Sequence, residues 1–313
     1  MTTFSSLRGS ALALTVTLIA TPATALVIVV PYPPPNPCQE TAVVLRKAAR
    51  LDAHQEYWVK LAECINHPAD AQECRSEAWA ARHDALQLAE LQYQARLAAC
   101  SLLGGAAYDP DLDEDDFSAV ITNRYFPLVP GRTLVYTKQT SDGLERVQVT
   151  TLAATIDIDD IPCRQVRDTV TLDGELVEDT IDWYSEDEDG TVWYVGEIAQ
   201  NYEDGLLTDL DGSWRAGEDG AEPGIQMLAP PTPGTVYRQE FAPGEAEDLA
   251  RVLSTNEIVT VPAGVFTNCI RTEEWTPLSP GPTEWKYYAP GIGLVLEVDV
   301  QSGERLELVR IVN

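Results

Sequence analysis

The chain has 313 residues, 44% of them hydrophobic, and a formal net charge of −29 at pH 7. That hydrophobic content is ordinary for a globular protein and excludes disorder throughout the chain. The negative charge excludes nucleic acid and anionic lipid as partners, because both would be repelled. The acidic excess follows Gly105, where the chain has 41 acidic and 13 basic residues. Such a surface could attract calcium or a basic partner, and solubility outside the cell explains it equally well.

Residues 1–25 have the pattern of a signal peptide. Arg8 supplies the positive start, residues 11–20 form a short apolar core, and Ala23-Thr24-Ala25 is a cleavage motif. The apolar core is too short to cross a membrane, and no later run reaches the roughly 18 apolar residues that a spanning helix needs. We therefore predict a soluble exported protein, periplasmic or extracellular, without a transmembrane segment.

A proline-rich arm at residues 26–37 precedes a predicted helical hairpin at residues 38–104. Asn36 is a good N-cap and Pro37 suits the first helical position. We expect each helix to bury one apolar stripe at helical spacing. The stripe of the first helix is Val44, Ala48, Leu51, Trp58, Leu61 and Ile65, and that of the second, after a cap at Asp70, is Trp79, Leu86, Tyr93, Leu97 and Cys100.

Four cysteines of the hairpin have a spacing that selects one pairing. Cys38 and Cys64 are 26 residues apart, as are Cys74 and Cys100. On a helix this separation is about 39 Å, whereas a disulfide needs Cα atoms within about 7 Å. Antiparallel helices therefore predict the bridges Cys38–Cys100 and Cys64–Cys74, which an exported location permits.

Residues 105–121 read as an acidic, solvated linker, and residues 122–313 as an antiparallel β domain. The β domain shows alternating strands separated by turn signals such as Asp173-Gly174. The predicted strands are 133–139, 146–158, 163–172, 176–184, 192–198, 236–241, 257–261, 269–275, 284–288, 293–300 and 305–311, with a short helix or turn at 246–253.

The β domain lacks the residues of the common catalytic sites. All three histidines precede Gly105, which excludes a Ser-His-Asp or Cys-His site built within the β domain. Cys163 and Cys269 are its only cysteines, and we predict a structural disulfide between them, with two buried thiols as the alternative. No catalytic or metal-binding residue is predicted, and calcium is the one cofactor kept open.

The stretch from Thr283 to Val300 predicts two strands joined at Pro290 and Gly291. Its period of two indicates a sheet with one buried face. The candidate ligand face comprises Trp285, Tyr287, Leu294, Leu296 and Val298. Folded sheet edges, the docked hairpin or a bound ligand could cover this face, and we favour the hairpin over the ligand.

Four phrases of the β domain resemble a group of uncharacterised exported bacterial proteins that carry a YAPGxGL motif. They are NRYFPLVP at 123–130, DWY at 182–184, VPAGVFTNC at 261–269 and YYAPGIGL at 287–294. The last two also resemble phrases of envelope proteins whose curved sheets are similar to the half-barrels of lipoprotein carriers. The resemblance implies a curved, half-barrel-like sheet and an envelope location, and it brings no catalytic residues.

We therefore predict an α+β protein: a disulfide-linked helical hairpin followed by a large, curved antiparallel sheet. The favoured function is non-enzymatic, with an apolar ligand or an envelope protein as the partner. A calcium-stabilised surface protein and a carboxylate-based hydrolase are the alternatives.

Overall fold

The computed structural model describes residues 35–67 and 69–313. It confirms the predicted α+β fold, with two long helices followed by a curved antiparallel sheet. The predicted signal peptide and most of the proline-rich arm lie outside the described residues. The helices are α1 (Pro37–Asn66) and α2 (Ala71–Leu103), and a 3-10 turn covers Glu114–Asp116. The strands are β1 (Thr133–Gln139), β2 (Leu144–Ile158), β3 (Ile161–Leu172), β4 (Glu175–Glu186), β5 (Val192–Glu203), β6 (Leu206–Asp209), β7 (Trp214–Arg215), β8 (Gly224–Met227), β9 (Val236–Arg238), β10 (Leu249–Val261), β11 (Gly264–Trp275), β12 (Glu284–Ala289), β13 (Gly293–Asp299) and β14 (Arg305–Val312).

Helix α1 begins where the capping residues predict. The Asn36 side chain accepts a hydrogen bond from the backbone N–H of Gln39 at 3.0 Å, and the Gln39 side chain accepts one from the backbone N–H of Asn36 at 3.4 Å. This reciprocal pair is a capping box that satisfies two free backbone donors. Asp70 precedes α2, but its side chain makes no capping hydrogen bond.

Two disulfides close the helical hairpin with the predicted pairing. Cys38–Cys100, which we call the open-end disulfide, has a Cα–Cα distance of 5.8 Å. Cys64–Cys74, the turn-end disulfide, has a Cα–Cα distance of 5.6 Å. Both distances fall in the range that an unstrained disulfide requires.

The apolar stripe of each helix is only partly buried. The helices meet through small side chains, and Ala42, Ala53, Ala78 and Ala89 are all buried. Alanine brings the two backbones close together, so the large side chains are displaced to the outside. The large exposed residues of the two stripes are Val44, Leu51, Trp58, Ile65 and Trp79, with exposed fractions of 55% or more.

Within the described residues, the strands form one antiparallel sheet with two meanders. β1 to β6 are ordered consecutively from one edge, β9 to β14 from the other, and β1 pairs with β14 where the two meanders meet. β7 and β8 also pair with β5. All eleven predicted strands have a counterpart, but β5, β10 and β11 extend five to eight residues beyond the predicted bounds. β6, β7 and β8 were missed because they are only two to four residues long.

Two predicted segments differ from the structure. The linker at 105–121 is not simply solvated, because Ile121 is buried and Leu112 and Phe117 pack against the same hydrophobic cluster. Its acidic residues remain outside, as Asp113 to Asp116 are exposed. The predicted helix or turn at 246–253 is largely strand, since β10 already begins at Leu249.

The hairpin joins the β domain at one rim of the sheet. Arg96 of α2 donates two hydrogen bonds to the Glu247 carboxylate, at 2.7 and 2.8 Å, and both side chains are buried. Gln92 donates a hydrogen bond to the Leu278 carbonyl at 2.8 Å. These contacts lie near β9 and beside the loop after β11, so the hairpin does not cover the candidate ligand face.

Candidate functional site

The five residues predicted to share a ligand face are divided between two faces of the sheet. In the pairing of β12 with β13, Tyr287 lies opposite Leu296 but Tyr288 lies opposite Leu294, so Val295 is an extra residue. This β-bulge reverses the alternation of side chains along β13. Leu294 therefore lies on the face of Tyr288, whereas Leu296 lies on the face of Tyr287. The prediction of a single face is wrong for Leu294, because a strict period of two cannot anticipate a bulge.

The face of the sheet that bears Tyr287 keeps four of the five predicted residues together: Trp285, Tyr287, Leu296 and Val298. A different element, the β-hairpin formed by β10 and β11, covers much of this face. Three irregularities of register between Val252 and Ile258 interrupt the pairing of these two strands. Beyond them, Val259, Val261, Ala263 and Phe266 share a hydrophobic cluster with Leu296 and Val298. The sheet thus folds its own edge over these residues.

The face that bears Leu294 borders a cavity of about 240 Å³. A preformed apolar cavity of about 150 Å³ is enough to bind benzene in a protein core, so this one could hold a larger molecule. We call this face the cavity face. Its charged and amide lining residues are Asp168, Asp182, Lys286, Glu297, Gln226 and Arg132, and its apolar lining includes Val147, Val149, Val166, Leu294 and Leu306.

A loop before β1 forms the partly exposed wall of the cavity. Phe126, Pro127 and Leu128 line the cavity and are all half-buried. The Asn123 side chain fixes the start of this loop by accepting hydrogen bonds from the backbone N–H groups of Tyr125 and Phe126, at 2.9 and 3.2 Å. The wall is therefore ordered by local hydrogen bonds and presents apolar side chains to the cavity.

Lys286 occupies the centre of a group of carboxylates on the cavity face. Its Nζ lies 3.2 Å from Glu274, 3.5 Å from Glu284 and 3.6 Å from Glu297. Burial disfavours the ammonium form, but the three carboxylates outweigh it and raise the pKa of Lys286. The Lys286 ammonium is thus fully engaged by its own neighbours.

Asp182 and Glu197 form a second acidic group, on adjacent strands. They lie opposite each other in the pairing of β4 with β5. The Tyr194 hydroxyl donates a hydrogen bond to Asp182 at 2.6 Å. Burial raises the pKa of Asp182 to about 7, and the hydrogen bond from Tyr194 partly opposes this shift. Burial and the nearby Asp182 raise the pKa of Glu197 to about 8. Near neutral pH the two carboxyls therefore retain protons that exposed carboxyls would have lost.

Asp168 has the least satisfied carboxyl of the site. Its Oδ1 is buried and has no hydrogen-bond partner among the described residues. Burial raises the pKa of Asp168 well above its usual range, and the nearby Asp182 raises it further. A buried acceptor without a partner is costly, and carboxyls with strongly perturbed pKa values cluster at functional sites.

The sequence contained a weak signal for this site. Val166, Asp168 and Val170 alternate along β3, so the aspartate occupies a position of the apolar face. The sequence could not single out Asp168 as a site residue, because it is one of 41 acidic residues that follow Gly105. Among residues 35–67 and 69–313, no group of three or more His, Cys, Asp or Glu side chains is arranged to hold a metal ion.

The predicted disulfide between Cys163 and Cys269 is wrong. Both cysteines are buried and unpaired in the described part of the chain. They lie on β3 and β11, which are separated by five strands in the sheet, and they belong to different hydrophobic clusters. Burial raises the pKa of Cys163 to about 12 and that of Cys269 to about 11, so neither thiol ionises readily.

Comparisons with known proteins do not identify a family or a function for this chain. No protein-family model matches the chain, and a search of curated proteins finds no significant match. A crystal structure described as a "putative lipoprotein" from Parabacteroides distasonis ATCC 8503 is similar with a TM-score of 0.35 and 13% sequence identity, over 61% of this chain and 99% of that one. This similarity is too low to support an inference about function. In the part of the chain that the structure describes, no helix is long and apolar enough to span a membrane.

Proposed function

We propose that this protein is an exported, non-enzymatic binding protein that holds an amphipathic small molecule in the cavity of its sheet. The observation that supports this most directly is the lining of the cavity. Apolar side chains such as Phe126, Leu294 and Val149 line the cavity together with the carboxyls of Asp168 and Asp182. Preformed cavities with apolar walls and a few convergent polar groups are typical of small-molecule sites.

Export is supported by the hairpin and by the start of the sequence. Residues 1–25 have a signal-peptide pattern. The open-end and turn-end disulfides form and persist in oxidising compartments. Together these features favour the periplasm or the exterior of the cell.

A binding role without catalysis is supported by the state of the candidate nucleophiles. Both β-domain thiols have raised pKa values and lie in the core. No histidine follows Gly105 to act as a base. The protein is therefore poorly equipped for nucleophilic catalysis by cysteine or by a serine–histidine pair.

A fluorescent-probe experiment tests the binding proposal. The neutral apolar dye N-phenyl-1-naphthylamine should gain fluorescence with the full-length protein, and native mass spectrometry should detect any small molecule retained on purification. Val149→Phe fills the cavity and should weaken dye binding at least tenfold. Leu206→Phe adds the same kind of bulk at an exposed residue of β6 and should leave binding unchanged. Dye binding that is equal in all three proteins would contradict the proposal.

A carboxylate-based hydrolase is a second candidate, favoured by one observation. Asp182 and Glu197 are paired carboxyls with pKa values raised to about 7 and 8, the range in which a carboxyl can act as a general acid. Hydrolysis of a glycoside or ester panel that is abolished by Glu197→Gln would establish this function.

A calcium-stabilised surface protein is the other alternative, and it would be indicated if calcium raised the melting temperature more than magnesium at the same millimolar concentration.

A further inference from the structure

We infer that the ligand of this cavity carries a positively charged ammonium group, which Asp168 and Asp182 hold. This inference rests on the proposed binding function and specifies the chemical class of the ligand. An ammonium joined to an apolar body would match the mixed lining of the cavity, because its charge would meet the two carboxyls and its body would contact the valine and leucine side chains.

Asp168 and Asp182 converge because of the register of two neighbouring strands. In the pairing of β3 with β4, Val166 lies opposite Asp182, and Asp168 is two residues further along β3. The two aspartates are therefore diagonal neighbours on one face, about 7–8 Å apart at their Cα atoms. Both line the cavity. A positively charged group placed between the two aspartates could contact both carboxyls.

The protein's own cations are engaged elsewhere. Lys286 is surrounded by Glu274, Glu284 and Glu297. Arg132, the other cation of the lining, donates hydrogen bonds to Asn313 and to the Gly291 carbonyl, both at 3.1 Å. Within residues 35–67 and 69–313, no lysine, arginine or histidine forms a salt bridge with either aspartate.

The two arginines of β3 do not supply the missing charge. Arg164 donates hydrogen bonds to the carbonyls of Ala119 and Ala153, at 3.0 and 2.9 Å. Arg167 is adjacent to Asp168 in the strand, so it faces the opposite side, where it pairs with Asp179. Neither arginine therefore provides Asp168 or Asp182 with a cationic partner.

The unpartnered Oδ1 of Asp168 points to a donor that the protein itself does not provide. The Asp182 carboxyl at least receives the Tyr194 hydroxyl, whereas the Asp168 Oδ1 is buried without any partner in the described chain. An ammonium group has several N–H donors and a charge, so it would donate to the orphan acceptor and favour the ionised form of the carboxyl at the same time. A neutral alcohol could satisfy the hydrogen bond but not the charge.

A bound ammonium would also displace protons. Asp182 has a pKa of about 7 without a ligand, because burial disfavours its charged form. A cation nearby would favour the ionised form and lower this pKa. Binding near pH 7 should therefore release protons to the buffer, which a neutral ligand would not do.

Matched eight-carbon probes separate this inference from the proposed function. Isothermal titration calorimetry of the full-length protein at pH 8 would compare n-octylammonium, 1-octanol and octanoate. We expect n-octylammonium to bind at least tenfold more tightly than 1-octanol, as one charge-assisted hydrogen bond provides about that ratio. At pH 7, the measured heat should vary with the ionisation enthalpy of the buffer only for n-octylammonium.

Asp168→Asn tests the assigned residue. The amide keeps the shape of the protonated carboxyl, so the variant should fold, and it should weaken n-octylammonium binding at least tenfold while changing 1-octanol binding less than about twofold. Asp182→Asn is a second variant with the same expectation. Glu175→Gln removes one negative charge at an exposed residue of β4 and serves as the control that should change neither affinity.

The ammonium could belong to a free amphipathic amine or to the N-terminus of an apolar peptide, and leucyl-leucinamide distinguishes these sources. Tighter binding of the peptide than of n-octylammonium would indicate a chain terminus, and the reverse would indicate a free amine. Equal affinities for the three eight-carbon probes would overturn the cation inference and leave the binding function standing. Retention of the ammonium preference in both aspartate variants would also overturn it. No binding of any probe would overturn both proposals.

Discussion

Replacement of Asp182 by asparagine should flatten the dependence of stability on pH. The pKa of Asp182 rises from an ordinary value of 3.8 to about 7 in the folded protein, chiefly because the carboxyl is buried. Between these two pH values the folded state binds more protons than the unfolded state. For a raised carboxyl pKa, stability is therefore fully present below pH 3.8 and is lost as the pH rises toward 7.

The size of the effect follows from linkage. One additional bound proton corresponds to a slope of about 1.4 kcal/mol per pH unit. Over the window of about three units, Asp182 accounts for roughly 4 kcal/mol of lost stability at most. Glu197 lies opposite Asp182 and titrates with it as a pair, so part of the slope should persist in the variant.

The measurement is urea unfolding of the full-length, oxidised protein at several pH values from 4 to 8, followed by tryptophan fluorescence. Asp182→Asn should match the wild type near pH 4 and exceed it at pH 8, because asparagine can still accept the Tyr194 hydrogen bond without acquiring a charge. Glu175→Gln, at an exposed site, should follow the wild-type curve. An Asp182→Asn curve parallel to that of the wild type would refute the assignment of a buried, protonated carboxyl.

Three further predictions concern the hairpin. Replacing both cysteines of the open-end disulfide with serine should lower the free energy of unfolding by roughly 4 kcal/mol, against roughly 3 kcal/mol for the turn-end disulfide, because the bridges close segments of 62 and 10 residues; equal losses in urea unfolding would contradict this. Arg96→Met should cost roughly 3–5 kcal/mol by leaving Glu247 buried without its partner, and Arg96→Met with Glu247→Met should recover much of it; a double variant as unstable as the single one would argue against the pair. Leu51→Ser should change stability by less than about 0.5 kcal/mol, since this side chain is 68% exposed; a loss of several kcal/mol would mean that the stripe is buried after all.

Local features of the chain could be predicted because their causes lie within a few residues. Asn36 and Pro37 mark the start of α1 through capping chemistry that needs no tertiary contact. The alternation of apolar residues and the turn signals located the longer strands. The equal cysteine spacings selected the disulfide pairing, because the length of a helix is determined by its number of residues.

The orientation of side chains depended on contacts between distant segments. Leu51 and Trp58 look like core residues in the sequence, yet buried alanines bring the helices together and leave both exposed. Leu294 and Leu296 have the same spacing as any pair on one face, but the bulge at Val295 separates them.

The chemistry of the cavity was likewise decided by the fold. In the sequence, Asp168 and Asp182 are two of 50 acidic residues, separated by a turn and two strand segments. The register of β3 with β4 places both on the cavity face. The sequence alone determined the start of α1, the existence of the longer strands and the hairpin disulfides, whose causes are local. Only the tertiary structure decided which charges are buried together, because burial and electrostatic coupling depend on distance in space.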